Sequence, residues 1–215
     1  MMNPGNILLH PRRCAEGIRT QPRILLPGAI VLAVSIVLFS AGYADAASGT
    51  AAHVPSSATP EERAAVDAAI RSEYLRNLLF LPIRLLLGWS TFAFALFLSA
   101  RTFSRAEGIR FVHFLSLEIH AEAILLIGGA GALFHVRVPG LDLIDPGVGP
   151  FLTALLTSIN LTTLWYLLVL ITGLSVLCGS RIRTAALAAG VVWASALALN
   201  AGILAFLTRV YSFWQ

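Results

Sequence analysis

The sequence predicts an all-α polytopic membrane protein: a bundle of five transmembrane helices with an amphipathic helix in one outer loop. Three observations predict it. Hydrophobic residues make up 57% of the 215 and charged residues only 12%, against about 25% charged in an ordinary soluble domain. Five apolar runs, 24–43, 81–100, 119–136, 161–178 and 184–207, reach or nearly reach the roughly 20 residues that a helix needs to cross hydrocarbon about 30 Å thick. Finally, the arginines gather at alternate ends of those runs.

All fifteen basic residues are Arg. Arg12, Arg13, Arg19 and Arg23 precede the first run, Arg101, Arg105 and Arg110 lie between the second and third, and Arg181 and Arg183 separate the fourth and fifth. Arg63, Arg71, Arg76, Arg84, Arg137 and Arg209 fall on the other side or at that edge of a span. Cytoplasmic loops carry the excess of basic residues. The bias therefore predicts an inner-membrane protein with its N-terminus in the cytoplasm and its C-terminus outside. The net charge of +4 and pI near 9.7 are explained by this topology, because the arginines sit beside apolar runs and form no basic domain face for nucleic acid. Two cysteines, Cys14 and Cys178, give no disulfide framework, and no Cys/His spacing suggests a metal. No cofactor is predicted.

The chain divides into a basic cytoplasmic segment (1–23), the first span (24–43), an extracytoplasmic loop (44–80) and a four-span domain (81–215). The first span is expected to be retained rather than cleaved at Ala44-Asp45-Ala46, since its apolar run exceeds the 7–15 residues usual in a leader. Within the loop, Thr59 and Glu62 form a capping box with Pro60 at the first helical position. Val66, Ile70, Tyr74 and Leu78 then recur every fourth residue, so an amphipathic helix leads into the second span. It is expected to rest on the outer membrane surface or on its own bundle.

The third span poses the main question, because "SLEIHAEAILLIGG" (116–129) carries Glu118, His120 and Glu122 in an apolar run. Ser104 and Glu107 form a second capping box, which starts this helix near Arg105. At 100° per residue Glu118 and Glu122 share a stripe with Phe111, Leu115, Leu125 and Gly129, while His113, Ser116 and His120 lie opposite. A metal site using all three residues is geometrically poor, and His120 is expected to matter little. The glutamates are placed at the cytoplasmic end, paired with Arg101, Arg181 or Arg183 as a neutralised interfacial cluster. A proton- or cation-handling site and a partner-recognition site are the alternatives. Arg84, His135, Asn160 and Asn200 form a second polar set towards the outer ends, explained by snorkelling for the first two and interhelical hydrogen bonds for the asparagines.

In the fifth span Ala186, Gly190, Ala194, Ala198 and Gly202 form a small-residue ridge, expected to pack within the bundle or against a second copy. No G-x-S-x-G, H-E-x-x-H or G-x-x-x-x-G-K-[ST] motif is present, so no enzymatic activity is predicted. The inverted repeats that point to a secondary transporter are likewise absent.

The stretch 158–193, "SINLTTLWYLLVLITGLSVLCGSRIRTAALAAGVVW", resembles the bacterial branch of the Yip domain family of Ypt/Rab-interacting membrane proteins. The shared features are Asn160 and Trp165 leading into a Leu-rich span, the Gly173-Leu174-Ser175 step, the basic turn with Arg181 and Arg183, and a last span rich in small residues. "DPGVGP" at 145–150 is similar to the Asp-Leu-Tyr-Gly-Pro signature of eukaryotic members. The resemblance implies five spans and a non-catalytic role in membrane organisation or trafficking. Its partners would be the lipid bilayer and other membrane proteins or a second copy. A small permease or channel using Glu118 and Glu122 is the competing expectation.

Overall fold

A computed structural model describes residues 10–53, 58–104, 108–133 and 159–212. The described chain is helical: α1 (Pro11–Thr20), α2 (Leu25–His53), α3 (Pro60–Phe103), α4 (Phe111–Leu133), α5 (Leu161–Cys178) and α6 (Ile182–Ser212). Helices α2 to α6 are long and apolar enough to cross a membrane. Leu79, Leu87, Leu168, Leu187 and Leu199 are exposed on their outward faces. Such a belt would be a liability in water and is matched by lipid.

Local signals account for several helix ends. Thr59 Oγ1 accepts from the Glu62 N–H at 3.2 Å and the Glu62 carboxylate accepts from the Thr59 N–H at 2.8 Å, completing the expected capping box. At the end of α5, Gly179 takes φ +59° and its N–H turns back to the Ser175 and Val176 carbonyls. The Ser180 N–H also reaches the Ser175 oxygen. A residue without Cβ enters that left-handed conformation at no steric cost.

The helix from Pro60 does not end before the second span. It runs on to Phe103 as one 44-residue helix, about 66 Å at 1.5 Å per residue, so its first half projects beyond any hydrocarbon layer. The predicted stripe of Val66, Ile70, Tyr74 and Leu78 is its partly buried face. Tyr74 stacks on Tyr43 and Phe39, with ring centroids 4.0 and 5.5 Å apart, and its hydroxyl donates to Ser40 Oγ at 3.0 Å. This half therefore leans on α2, the second of the two expected resting places, its own bundle.

One expectation about a helix start is corrected. The third span begins at Phe111 and not near Arg105, because Gly108 sits in a turn with φ +77°. The Arg110 N–H, at the entry to α4, lies 3.1 Å from His113 Nδ1. Glu107 lies outside the described residues. Within the basic segment 1–23, α1 buries Cys14, Ala15 and Ile18 and packs against α5 and α4. Arg19 reaches the Val176 carbonyl at 3.5 Å, and Ser116 Oγ on α4 donates to the Arg23 carbonyl at 2.9 Å. Helix α1 is thus part of the bundle. We call the end of the bundle that carries α1, Arg101, Arg181 and Arg183 the basic end.

Helix α4 occupies the centre. It packs against α1, α2, α3 and α5, while α3, α4, α5 and α6 form a closed ring in which each contacts the next and α6 returns to α3. Two glycines let the helices of this ring approach. Leu117 fills the space where a Cβ on Gly173 would lie, and Thr162 does the same at Gly128. Towards the basic end the ring is filled by Leu96, Leu117, Leu170, Leu174 and Ala189, with Phe97 and Phe114 edge to face at 5.5 Å. The face of α6 turned inward carries Ala185, Ala188, Ala189 and Val192. The ridge from Ala186 to Gly202 is thus not the intrabundle seam: Ala194 and Ala198 are exposed, and the positions beside Gly190 and Gly202 are open.

Burial pushes the Cys14 thiol up to about 11, and the thiolate is the reactive form. In a Cys178→Ser chain, N-ethylmaleimide at pH 8 is expected to label Cys14 at least about tenfold more slowly in the folded protein than after denaturation. Equal rates would show that α1 is not docked.

Candidate functional site

Glu118 lies in the second turn of α4 and Glu122 one turn further from the basic end. Glu118 is 3% exposed. The Tyr166 hydroxyl of α5 donates to both of its oxygens, at 2.8 and 2.9 Å. Tyr166 is itself buried, with its ring 6.2 Å from that of Phe92 on α3. A carboxylate removed from solvent is thereby given a donor from the neighbouring helix, the arrangement that makes a buried polar group tolerable.

The predicted pairing with arginine is not observed. Arg101, Arg181 and Arg183 are exposed at the basic end, and the Arg101 guanidinium lies 4.5 Å from the centre of the Phe97 ring. Among the described residues no ion pair joins any of them to Glu118 or Glu122. Depth is the reason. Tyr166, which bonds Glu118, lies twelve residues before Cys178, about 18 Å along the axis from the helix end that Arg181 and Arg183 follow. The glutamates sit near mid-bundle, not at an interface.

What the structure brings together is the two glutamates and part of the other polar set. A cavity of about 430 Å³ lies inside the ring of α3, α4, α5 and α6, on the side away from the basic end. Its polar wall consists of Glu118 and Glu122 from α4, Arg84 from α3, Thr163 and Tyr166 from α5, and Asn200 from α6. Trp89, Phe92 and Trp193 supply aromatic surface. Arg84 and Asn200 are exposed, so they stand at the mouth, while the layer of Phe97 and Phe114 lies beyond the floor. Of the remaining two residues in that set, His135 is outside the described residues. Asn160 caps α5 by accepting from the Thr163 N–H at 2.9 Å and makes no interhelical side-chain bond among the described residues.

Partnering on the cavity wall is uneven. Arg84, Glu122 and Asn200 have no hydrogen-bond or ion-pair partner among the described residues. Trp89 is 5% exposed, yet its indole Nε1 has no acceptor. Its Cζ3 lies over Gly28 of α2. An unpaired buried N–H costs about 1–3 kcal/mol. No sequence pattern singled out Trp89. Its value as a signal comes from burial, which periodicity alone does not reveal.

His120 is not on a free face. It is 6% exposed, its Nδ1 lies 2.7 Å from the Ser116 carbonyl, and it lines a separate, mainly apolar cavity of about 260 Å³ against Val31 and Val34 of α2. Glu118 and Glu122 thus face one set of helices and His120 another. Among the described residues no group of three His, Cys, Asp or Glu could hold a metal ion.

Tyr166→Phe is expected to lower stability by about 1–3 kcal/mol, the range for leaving a buried polar group without its partner. Combined with Glu118→Gln it should cost clearly less than the sum of the single changes. Unfolding in detergent reads both quantities, and additive losses would mean that the two side chains are not coupled.

Comparison of the chain with family models, with curated proteins and with solved structures finds no match.

Proposed function

We propose that the chain is a small, non-enzymatic permease of the cytoplasmic membrane in which Glu118 and Glu122 handle a proton. The observation that carries this reading is the mid-bundle cavity, where two carboxyl groups share one open space with Arg84 and Asn200. Ionisable groups within spans are costly and face a bundle interior or a water-filled cavity, where they mark solute pathways. Groups serving only to hold helices together would be paired, and among the described residues Glu122, Arg84 and Asn200 are not. With the basic end in the cytoplasm, as the arginine bias indicates, the C-terminus is outside and the cavity opens to the outside. The Phe97 and Phe114 layer is then the closed side.

The test is flux in proteoliposomes loaded with pyranine and energised by a potassium diffusion potential. Wild-type protein is expected to carry protons at least about tenfold faster than a Glu118→Gln, Glu122→Gln chain incorporated in equal, monodisperse amount. Equal rates for the two proteins would contradict the proposal.

A second reading, a non-catalytic scaffold of membrane organisation as the Yip-like features imply, is favoured by the open small-residue ridge of α6. Small residues at that spacing let a helix from another protein approach closely. In a Cys14→Ser, Cys178→Ser background, Ala194→Cys should then form a disulfide-linked dimer in native membranes under mild oxidation. A chain that stays monomeric would count against a second copy on that ridge.

A further inference from the structure

We infer that the solute of this cavity is a small zwitterion, an α-amino acid with an apolar side chain, whose ammonium group is held at Glu122 and whose carboxylate is held at Arg84. This inference rests on the permease reading and adds the substrate class.

The argument starts from the groups that have no partner. On the cavity wall Glu118 is already served by Tyr166. Among the described residues the groups without a partner are one acid, Glu122, one cation, Arg84, and one neutral polar group, Asn200. A ligand complementary to that set carries one positive and one negative charge. A simple cation would leave Arg84 unanswered, and a simple anion would leave Glu122 unanswered. The costlier omission is at Glu122, the more buried of the two.

The spacing agrees. Helices α3 and α4 run antiparallel, and the Phe92–Tyr166–Glu118 contact sets their relative height. Four residues beyond Glu118, Glu122 then lies about 6 Å nearer the mouth. Arg84 is eight residues before Phe92, about 12 Å along α3 in the same direction. The two charges are therefore offset by roughly 6 Å of helix rise, which a flexible arginine spans when a carboxylate and an ammonium on one carbon lie between them. Arg also presents a fork suited to a carboxylate.

The rest of the wall suits an apolar substituent. Phe92, Trp193, Leu85 and Leu125 line the same space. At about 430 Å³ the cavity lies within the range of roughly 300–1,000 Å³ found for small-molecule sites, ample for one amino acid.

Leucine and its two truncated analogues separate the charges at nearly constant shape: 3-methylbutylamine lacks the carboxylate and 4-methylpentanoate lacks the ammonium. Binding to the full chain in nanodiscs is followed by tryptophan fluorescence. Leucine is expected to bind at least about tenfold more tightly than either analogue. Arg84→Gln should abolish its advantage over the amine, and Glu122→Gln its advantage over the acid. Both positions are partly solvent-facing, and monodisperse elution of each variant verifies folding. Trp193→Leu should weaken all three ligands together. Failure of leucine to bind, or an amine bound as tightly as leucine, overturns the zwitterion assignment. In either case proton flux that still depends on Glu118 and Glu122 leaves the permease reading standing. Loss of both leucine binding and glutamate-dependent flux overturns the two together.

Discussion

The enclosure of α4 is the constraint on which the rest of the structure depends. This helix carries Glu118 and Glu122 on one side and Ser116 and His120 on the other, and polar side chains within a span must be turned towards protein or water. A helix with one polar stripe can keep its other face in lipid. One with polar groups on two sides must be surrounded. The bundle meets that demand by laying α2 against His120 and closing α3, α5 and α6 around the cavity that holds the glutamates. The first span is thus needed by the third, and the close approach of α5 at Gly173 and Gly128 is part of the same enclosure.

The cavity follows from a gradient of side-chain size along the ring. Near the basic end α6 presents Ala185, Ala188 and Ala189, and Ser99 Oγ of α3 reaches the Ala188 carbonyl at 3.1 Å. Helices meeting through alanine sit at the short end of the 8–10 Å range of interaxial distances. Further along, Trp89, Phe92 and Trp193 stand between the same helices, and bulky groups hold axes apart. Space closed at one end and open at the other results without any break in a helix. The polar residues that happen to lie in the open half become the lining of a site, whereas Phe97 and Phe114 in the closed half become a seal.

The same gradient separates roles among the arginines. Arg101, Arg181 and Arg183 end or begin helices at the closed end and face solvent, where their charge costs little. Arg84 sits in the body of α3, nineteen residues before Phe103, and shares a cavity with carboxylates. Residues of one type thus divide between the end of the bundle and the mouth of its cavity, according to their position along the helices.

By itself the sequence determined what depends on neighbours a few residues away. The count of five apolar helices, the capping box at Thr59 and Glu62 and the half-buried stripe of Val66, Ile70, Tyr74 and Leu78 follow from composition, periodicity and short-range hydrogen bonds. So does the sharing of one α4 face by Glu118 and Glu122. Only the tertiary structure decided how far each helix slides and turns against the next. That shift placed the glutamates beside Tyr166 and Arg84 instead of Arg101, Arg181 and Arg183, turned the α6 ridge outward, buried His120 and Trp89, and docked α1 under α5. The physical reason is that the axial offset and rotation of a helix are fixed by side chains on its neighbours, at Gly173 against Leu117 for example, and such pairs are distant in sequence and carry no local signature.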